Sequence, residues 1–208
     1  MESEALCFLC VEARISPATP TPWTDQLLRY EPGVGSLIAG VGAQRVGYCL
    51  LSPTEHIVSI CALSSDQIRT FEGFVKLQLD TLTGRYGPLT YWEHGGVSDG
   101  QRTSACVEHA HLHVLPGIVP LQIESRGLVR YRHIGEWLRD ARRWRGLPYV
   151  AFGHSNDACL VGPDPRVPQY FRRQVARFTD QRDEWDYAAS PNYGLVRQTI
   201  DEVLRLPS

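Results

Sequence analysis

Three histidines at every second position, His109, His111 and His113, most constrain what this chain can fold into. Apolar residues fill the alternate positions, and Pro116 follows three residues after His113. Side chains alternate between faces along a strand, so we expect a half-buried strand with the three imidazoles on one face, about 6.5–7 Å apart. Such a row suits chemistry on a polyanion such as a phosphate chain. A solvent-facing strand edge and a metal site without catalysis are the alternatives.

The run His-Ala-His-Leu-His-Val-Leu at residues 109–115 resembles the signature of the histidine triad (HIT) family, in which apolar residues separate three histidines. The resemblance covers about residues 5–120. It implies an α+β, HIT-like fold with a mainly antiparallel sheet and a long helix. It also implies an enzyme that acts at the α-phosphate of nucleoside phosphates through a nucleotidyl-histidine intermediate.

The resemblance assigns a role to each histidine of the run. The middle one, His111, is the expected nucleophile, because a neutral imidazole offers one lone pair to phosphorus while its other nitrogen keeps a proton. His113 is expected to contact the phosphate or to protonate the leaving group. His109 is expected to orient the site.

A CxxC pair, Cys7 and Cys10, lies near the N-terminus, and Pro53-Thr54-Glu55-His56 follows a predicted strand. On its own the CxxC is equally a pair of buried thiols or a redox pair. In many bacterial triad proteins a similar CxxC, a Pro-x-x-His and the first triad histidine bind zinc, which implies Cys7, Cys10, His56 and His109 here. Two thiolates and two imidazoles form a closed tetrahedral site, which is structural rather than catalytic.

The chain departs from the family pattern at several positions. The residues before the triad read Ser104-Ala105-Cys106, so the usual phosphate contact falls to Ser104 or Cys106 or is lost, and Gly47-Tyr48 replaces a common Gly-His. His113 stands where the related transferases have Gln, which favours hydrolysis to a nucleoside monophosphate. A nucleotidyltransferase or phosphorylase with a non-water acceptor, and a non-catalytic nucleotide-binding protein with structural zinc, are the alternatives.

Other candidate contacts lie away from the triad. His94 follows a predicted strand and either reaches the pocket or faces solvent in a turn. Gln169, Arg172 and Arg173 open a predicted helix, where an anion is favoured and arginine can bind phosphate with two hydrogen bonds. A solvated helix face is the alternative for these three residues.

Hydrophobic periodicity predicts the elements. Strands are expected at residues 37–39, 46–52 and 89–93, and a capping box at 64–67 predicts a long amphipathic helix ending near residue 84. We expect a catalytic domain over residues 1–120. Residues 121–208 are expected to form a mostly helical extension that packs on or caps the catalytic domain, with helices at 134–144, 168–179 and 191–204 and an extended segment at 149–152.

Composition limits the classes of partner. The net charge of −2 and the pI of about 6.4 argue against a general nucleic-acid binder. No apolar run reaches the roughly 20 residues needed to span a bilayer, and the acidic N-terminus does not fit a signal peptide. We therefore expect a cytoplasmic protein with a small-molecule nucleotide substrate, no nucleic acid and no membrane partner. A homodimer is an open alternative.

Overall fold

The computed structural model describes residues 7, 9–10, 22–96, 109–125 and 127–207. Their fold is α+β, built on one eight-stranded sheet whose paired strands are all antiparallel. The strands are β1 (Leu27–Glu31), β2 (Gly35–Ala39), β3 (Cys49–Pro53), β4 (Leu89–Gly95), β5 (Leu112–Pro116), β6 (Val129–Tyr131), β7 (Tyr149–His154) and β8 (Cys159–Pro163). They lie in the order β1-β2-β3-β5-β4-β7-β8-β6, which places β5, the strand of the histidine run, near the centre of the sheet.

Four α-helices lie in the described residues: α1 (Ser65–Tyr86), α2 (Ile134–Arg139), α3 (Tyr170–Phe178) and α4 (Tyr193–Leu204). The predicted long helix is confirmed as α1. Its capping box is complete, because the Ser64 side chain accepts from the Gln67 backbone N–H and the Gln67 side chain accepts from the Ser64 N–H. The buried residues of α1, which include Phe71, Val75 and Leu79, form the apolar stripe that packs on the sheet.

The two faces of the sheet carry different residues, because side chains alternate along each strand. One face packs against α1, whose Phe74 lies close to Gly35 of β2. On the other face, Trp92 of β4 stands between His113 of β5 and Phe152 of β7 in the strand register. Phe171 of α3 packs against this second face. The histidine face is therefore an aromatic layer covered by a helix that lies after residue 120.

The sheet continues across the predicted boundary at residue 120. β7 pairs with β4 along six residue pairs, and β8 and β6 extend the sheet further. The sequence prediction of a mostly helical extension therefore missed strands β6 and β8. In the N-terminal part, the sequence prediction missed β1. β6 has only three residues, and β8 ends with the Gly162-Pro163 pair, which is more typical of a turn.

Two further elements differ from their sequence predictions. The predicted helix over 134–144 divides into α2 and a short 3-10 helix, Ala141–Trp144, with Asp140 between them. The strand of the histidine run begins only at Leu112, so His109 and His111 precede it rather than lie within it. In the part of the chain that the structure describes, no helix combines the length and the apolar character needed to cross a membrane.

Candidate metal centre and active site

The four residues Cys7, Cys10, His56 and His109 form a compact cluster, with their donor atoms within 4.8 Å of one another. The Cys10 Sγ lies 3.1 Å from His56 Nδ1 and 3.6 Å from His109 Nδ1. The Cys7 Sγ lies 3.5 Å from the same His109 nitrogen. The sequence prediction that these four side chains meet is confirmed, and the cluster can bind a metal ion.

Local backbone contacts position the ligands of this cluster. A turn closes the CxxC segment, where the Cys10 N–H donates to the Cys7 carbonyl at 3.1 Å. The Ala110 N–H donates to the Ile57 carbonyl at 2.6 Å and so holds the His56 and His109 segments side by side. His109 Nε2 lies 2.9 Å from the Pro53 carbonyl, which can only accept. His109 is therefore protonated at Nε2, and its Nδ1 lone pair faces the two sulfurs.

The same residue that serves the cluster also holds the expected nucleophile. His111 Nδ1 lies 2.7 Å from the His109 backbone carbonyl, so the Nδ1–H donates to that oxygen. The Nε2 of His111 therefore keeps its lone pair. Since the His109 side chain lies in the cluster and its carbonyl fixes the His111 ring, the cluster and His111 are joined through a single residue.

His113 lies beside His111 and is enclosed by aromatic rings. The ring centroids of His111 and His113 are 4.6 Å apart, closer than the spacing expected for one continuous strand. Trp92 stacks on His113 with centroids 4.8 Å apart and an interplanar angle of 11°. The Tyr48 hydroxyl lies 2.6 Å from His113 Nδ1. His109 takes no part in this group, because its side chain turns to the cluster.

Burial keeps the histidines of the pocket neutral. It lowers the pKa of His111, although the bond to the His109 carbonyl opposes that shift. Burial, together with the nearby His111, lowers the pKa of His113 well below its usual range and that of His94 to about 3. Neutral imidazole is the form that can attack phosphorus, so the pocket holds its histidines in the nucleophilic state.

His94 reaches the pocket, as one of the two sequence readings expected. Its ring stacks on Phe171 with centroids 5.2 Å apart and lies 6.3 Å from the His113 ring. Its Nε2 is buried and has no hydrogen-bond partner among the described residues, and the same holds for Nε1 of Trp92. A buried polar atom without a partner is costly, so both atoms are candidates for contact with a ligand.

The three candidate phosphate ligands at the start of α3, Gln169, Arg172 and Arg173, form hydrogen bonds with other groups of the protein. Arg172 is only 4% exposed, and it donates to the Tyr48 hydroxyl, the Gly42 carbonyl and the Trp185 carbonyl. Gln169 accepts from Arg172 through its side-chain oxygen. The alternative of a solvated helix face is therefore wrong for Arg172, because tertiary contacts bury its guanidinium.

Arg173 takes a different direction from its neighbour. Its guanidinium donates to the Pro168 carbonyl and lies 3.4 Å from the centroid of the Trp185 ring, in a cation–π contact. The structure thus places Arg173 at the start of α3 but not beside the histidines. The other two predicted phosphate contacts, Ser104 and Cys106, lie outside the described residues.

Behind the pocket, Glu93 fixes the segment that follows His56. Its carboxylate is completely buried, accepting the Ile60 N–H at 2.9 Å and the Tyr149 hydroxyl at 2.5 Å. Burial raises the pKa of Glu93 to about 7, against the lowering effect of these two bonds. Sequence reasoning missed Glu93, Tyr48 and Trp92. The alternation along β4 and the Gly47-Tyr48 departure were the available signals.

Comparisons with known proteins add little to this geometry. No family model and no curated protein matches the sequence. Among solved structures, the chain is similar to a DUF4931 family protein from Bacillus cereus ATCC 10987. The identity is 14%, the likeness covers 77% of this chain and 99% of the other, and the TM-score is 0.46. We infer neither the fold nor the function from a likeness at this level.

Proposed function

We propose that the chain is a HIT-like nucleotide hydrolase that cleaves at the α-phosphate through a covalent nucleotidyl-His111 intermediate. The observation that carries the proposal is the 2.7 Å contact between His111 Nδ1 and the His109 carbonyl, which leaves Nε2 as the nucleophilic atom. The neutral His113 and His94 rings lie on the same side and supply polar nitrogens for a phosphate group. The histidine signature and the antiparallel sheet support the finer, HIT-like fold assignment.

The reaction proceeds in two displacement steps. In the first, the Nε2 lone pair of His111 forms a bond to the α-phosphorus, and the bond from phosphorus to the leaving group breaks, with its electron pair going to the leaving group. The imidazole is then cationic, and its Nδ1–H bond to the His109 carbonyl stabilises that charge. The leaving group takes a proton from water or through His113.

In the second step, water attacks the phosphorus of the intermediate. A phosphorus–oxygen bond forms, the phosphorus–nitrogen bond breaks, and its electron pair returns to His111 Nε2. The nucleoside monophosphate leaves with the oxygen of the water, whose proton passes to solvent. His111 is neutral again, and each turnover consumes one water and needs no redox partner.

The proposed metal is zinc, held by Cys7, Cys10, His56 and His109. Zn–S bonds of about 2.3 Å and Zn–N bonds of about 2.0–2.1 Å place the donors of a tetrahedral site roughly 3.4–3.8 Å apart. The sulfur–nitrogen distances of 3.1, 3.5 and 3.6 Å are close to that spacing. Four protein ligands would close the coordination sphere, so the ion would supply rigidity to His109 rather than chemistry.

A substrate panel with three variants tests the function. Adenosine and guanosine phosphoramidates, dinucleoside polyphosphates and nucleotide sugars are incubated with wild type, His111→Ala and His133→Ala. His133 is an exposed histidine that caps α2, so its variant controls for the loss of any imidazole. We expect monophosphate release by wild type and His133→Ala, and loss of at least about 1,000-fold in His111→Ala, the scale for a removed nucleophile.

The outcomes separate the candidate functions. Samples are quenched without acid and digested. A mass increase of one nucleotidyl group on a peptide containing His111 supports the covalent intermediate. Product formation only when phosphate or a sugar phosphate is added identifies a transferase. Nucleotide binding by wild type without turnover on any substrate, or equal turnover by His111→Ala, overturns the proposal.

A further inference from the structure

A chain of buried contacts runs from α3 to the last histidine of the triad. The Arg172 guanidinium donates to the Tyr48 hydroxyl at 3.1 Å, and that hydroxyl lies 2.6 Å from His113 Nδ1. All three side chains are less than one tenth exposed. Arg172 comes from the part of the chain beyond residue 120, whereas Tyr48 belongs to the Gly47-Tyr48 pair that replaces a common Gly-His.

The donor and acceptor inventory sets the direction of the protons in this chain. Arginine only donates, so the Tyr48 oxygen accepts from Arg172. The positive charge of the guanidinium that donates to that oxygen makes the hydroxyl a stronger donor and a poorer acceptor for a second donor. The hydroxyl proton therefore points to His113 Nδ1, and the neutral His113 carries its own proton on Nε2.

Arg172 is held too firmly to serve as a mobile phosphate ligand. Besides Tyr48, it donates to the Gly42 carbonyl at 2.7 Å and to the Trp185 carbonyl at 2.9 Å. Gly42 has a φ of +74°, and a Cβ there would lie 2.6 Å from the arginine Nη2, so both its backbone and the space beside it favour glycine. The guanidinium thus joins α3 to the loop that leads to Tyr48.

We propose that Arg172 and Tyr48 are positioning residues that fix His113 in the tautomer with a proton on Nε2. That N–H is then aimed to donate a hydrogen bond to a phosphate oxygen or to the leaving group beside His111. Arg172 acts through Tyr48 and does not contact substrate. The tautomer assignment stands on the contacts alone, whereas its catalytic consequence rests on the proposed function.

Nuclear magnetic resonance of protein labelled with ¹⁵N-histidine reads the tautomer directly, with or without activity. The His113 signals are assigned by their loss in His113→Gln. We expect a protonated Nε2 and an unprotonated Nδ1 in wild type at neutral pH. Tyr48→Phe and Arg172→Met are expected to shift His113 to a mixture of tautomers. Arg177→Met, the same change at an exposed position of α3, is expected to leave it as in wild type.

Two results overturn the assignment. One is a protonated Nδ1 on His113 in wild type. The other is an unchanged His113 spectrum in both Tyr48→Phe and Arg172→Met. Tyr48→Phe removes one oxygen and keeps the ring, so it tests the contact chain from Arg172 through Tyr48 to His113 even if Arg172→Met fails to fold. Thermal melts of each variant confirm that the spectra come from folded protein.

Steady-state kinetics on the substrate that wild type cleaves best test the catalytic consequence. We expect kcat to fall about 10- to 100-fold in Tyr48→Phe and Arg172→Met, the scale for loss of an outer positioning contact. KM is expected to stay within about 2-fold, and Arg172→Lys to recover part of kcat. A large rise in KM with unchanged kcat instead makes Arg172 a substrate ligand. If wild type turns over none of the substrates, the proposed function fails. The tautomer measurement then still tests whether Arg172 and Tyr48 fix the protonation of His113.

Discussion

Two groups of side chains meet at the histidine run, and they differ in how their buried polar atoms are bonded. In the cysteine–histidine cluster, His109 has both nitrogens in contact, Nδ1 with sulfur and Nε2 with the Pro53 carbonyl. In the pocket, His94 Nε2 and Trp92 Nε1 are buried but find no partner within the described part of the chain. Native proteins bond nearly all buried polar groups, so an unbonded atom beside the histidines is a candidate ligand contact, whereas the fully bonded His109 side chain has a structural role.

Glu93 and His94 repeat the same contrast at neighbouring positions of β4. Glu93 points to the α1 side of the sheet, where both carboxylate oxygens accept hydrogen bonds. His94 points to the opposite side, where it stacks on Phe171 and leaves Nε2 unbonded by any described residue. On this strand the Glu93 side chain is therefore fully bonded, whereas its neighbour His94 keeps one buried nitrogen unbonded by the described residues. Substitution of Glu93 is expected to change stability, and substitution of His94 to change ligand binding.

The largest expected effect comes from breaking the cluster with Cys10→Ser. Serine is a much weaker ligand for a soft or borderline metal, so we expect the metal content to fall from about one ion per chain to near zero. Folding stability is expected to drop by about 4 kcal/mol when free metal is about 1,000 times its Kd. Metal analysis of protein purified without a tag, combined with urea unfolding, measures both quantities.

A chelator supplies the matched control for Cys10→Ser. Wild type treated with chelator is expected to match the stability of the variant, and the variant is expected not to respond to chelator. Metal-free wild type that unfolds at the same urea concentration as the loaded protein would show that the cluster is only a pair of buried thiols beside two histidines.

The second effect concerns Glu93 and depends on pH. The pKa of Glu93 is raised to about 7 in the folded protein, above the ordinary value of 4.5, because the carboxylate is buried. The folded state then binds more protons than the unfolded state between these values, so this group's contribution to stability is lost as pH rises from about 4.5 to 7. The loss amounts to about 3 kcal/mol.

Glu93→Gln keeps the shape and the bond to the Ile60 N–H but cannot ionise. We measure the unfolding free energy of both proteins by urea at several pH values. As pH rises from about 4.5 to 7, we expect the value for Glu93→Gln to increase relative to wild type by up to about 3 kcal/mol. The difference between the two proteins cancels the titration of the histidines. The groups that face Glu93 are Tyr149, Cys61 and Cys159. A constant difference in unfolding free energy from pH 4.5 to 7.5 would mean that, among these groups, the pKa of Glu93 is not raised in the folded protein.

Local signals in the sequence predicted the parts of the fold that depend on local physics. The capping box and the spacing of Ile68, Phe71 and Val75 predicted α1 because a helix is stabilised by neighbours three and four residues away. The ligand cluster was predicted from resemblance, and the structure confirms that its four side chains meet. Short strands such as β6 carry too few residues for a period-2 pattern to show.

The pocket depended on tertiary contacts that local patterns do not encode. Alternation placed His109, His111 and His113 on one face, but the cluster turns His109 away and the strand begins at Leu112. Arg172 resembled an anion ligand at a helix start, whereas the packing of α3 against the loop before β3 buries it on Tyr48. Such a contact joins residues more than 120 positions apart, so no window of the sequence contains it.

The smallest expected effect on stability, and the sharpest test of the comparison, is His94→Phe. Phenylalanine keeps the ring that stacks on Phe171 and removes the buried, unbonded Nε2. Because a polar atom without a partner costs free energy, the variant is expected to be as stable as wild type or up to about 1 kcal/mol more stable. Urea unfolding at pH 8, where the imidazole is neutral in both states, measures this difference.

The same variant is expected to bind a nucleoside monophosphate at least about 10-fold more weakly, since it loses one hydrogen-bond donor or acceptor from the pocket. Calorimetric titration with adenosine and guanosine monophosphates measures the affinity, and His133→Phe, at an exposed helix cap, is the matched control. A stability loss above about 2 kcal/mol with unchanged affinity would place His94 in the bonded, structural region with Glu93. The contrast between the two sides of β4 would then not separate structure from function.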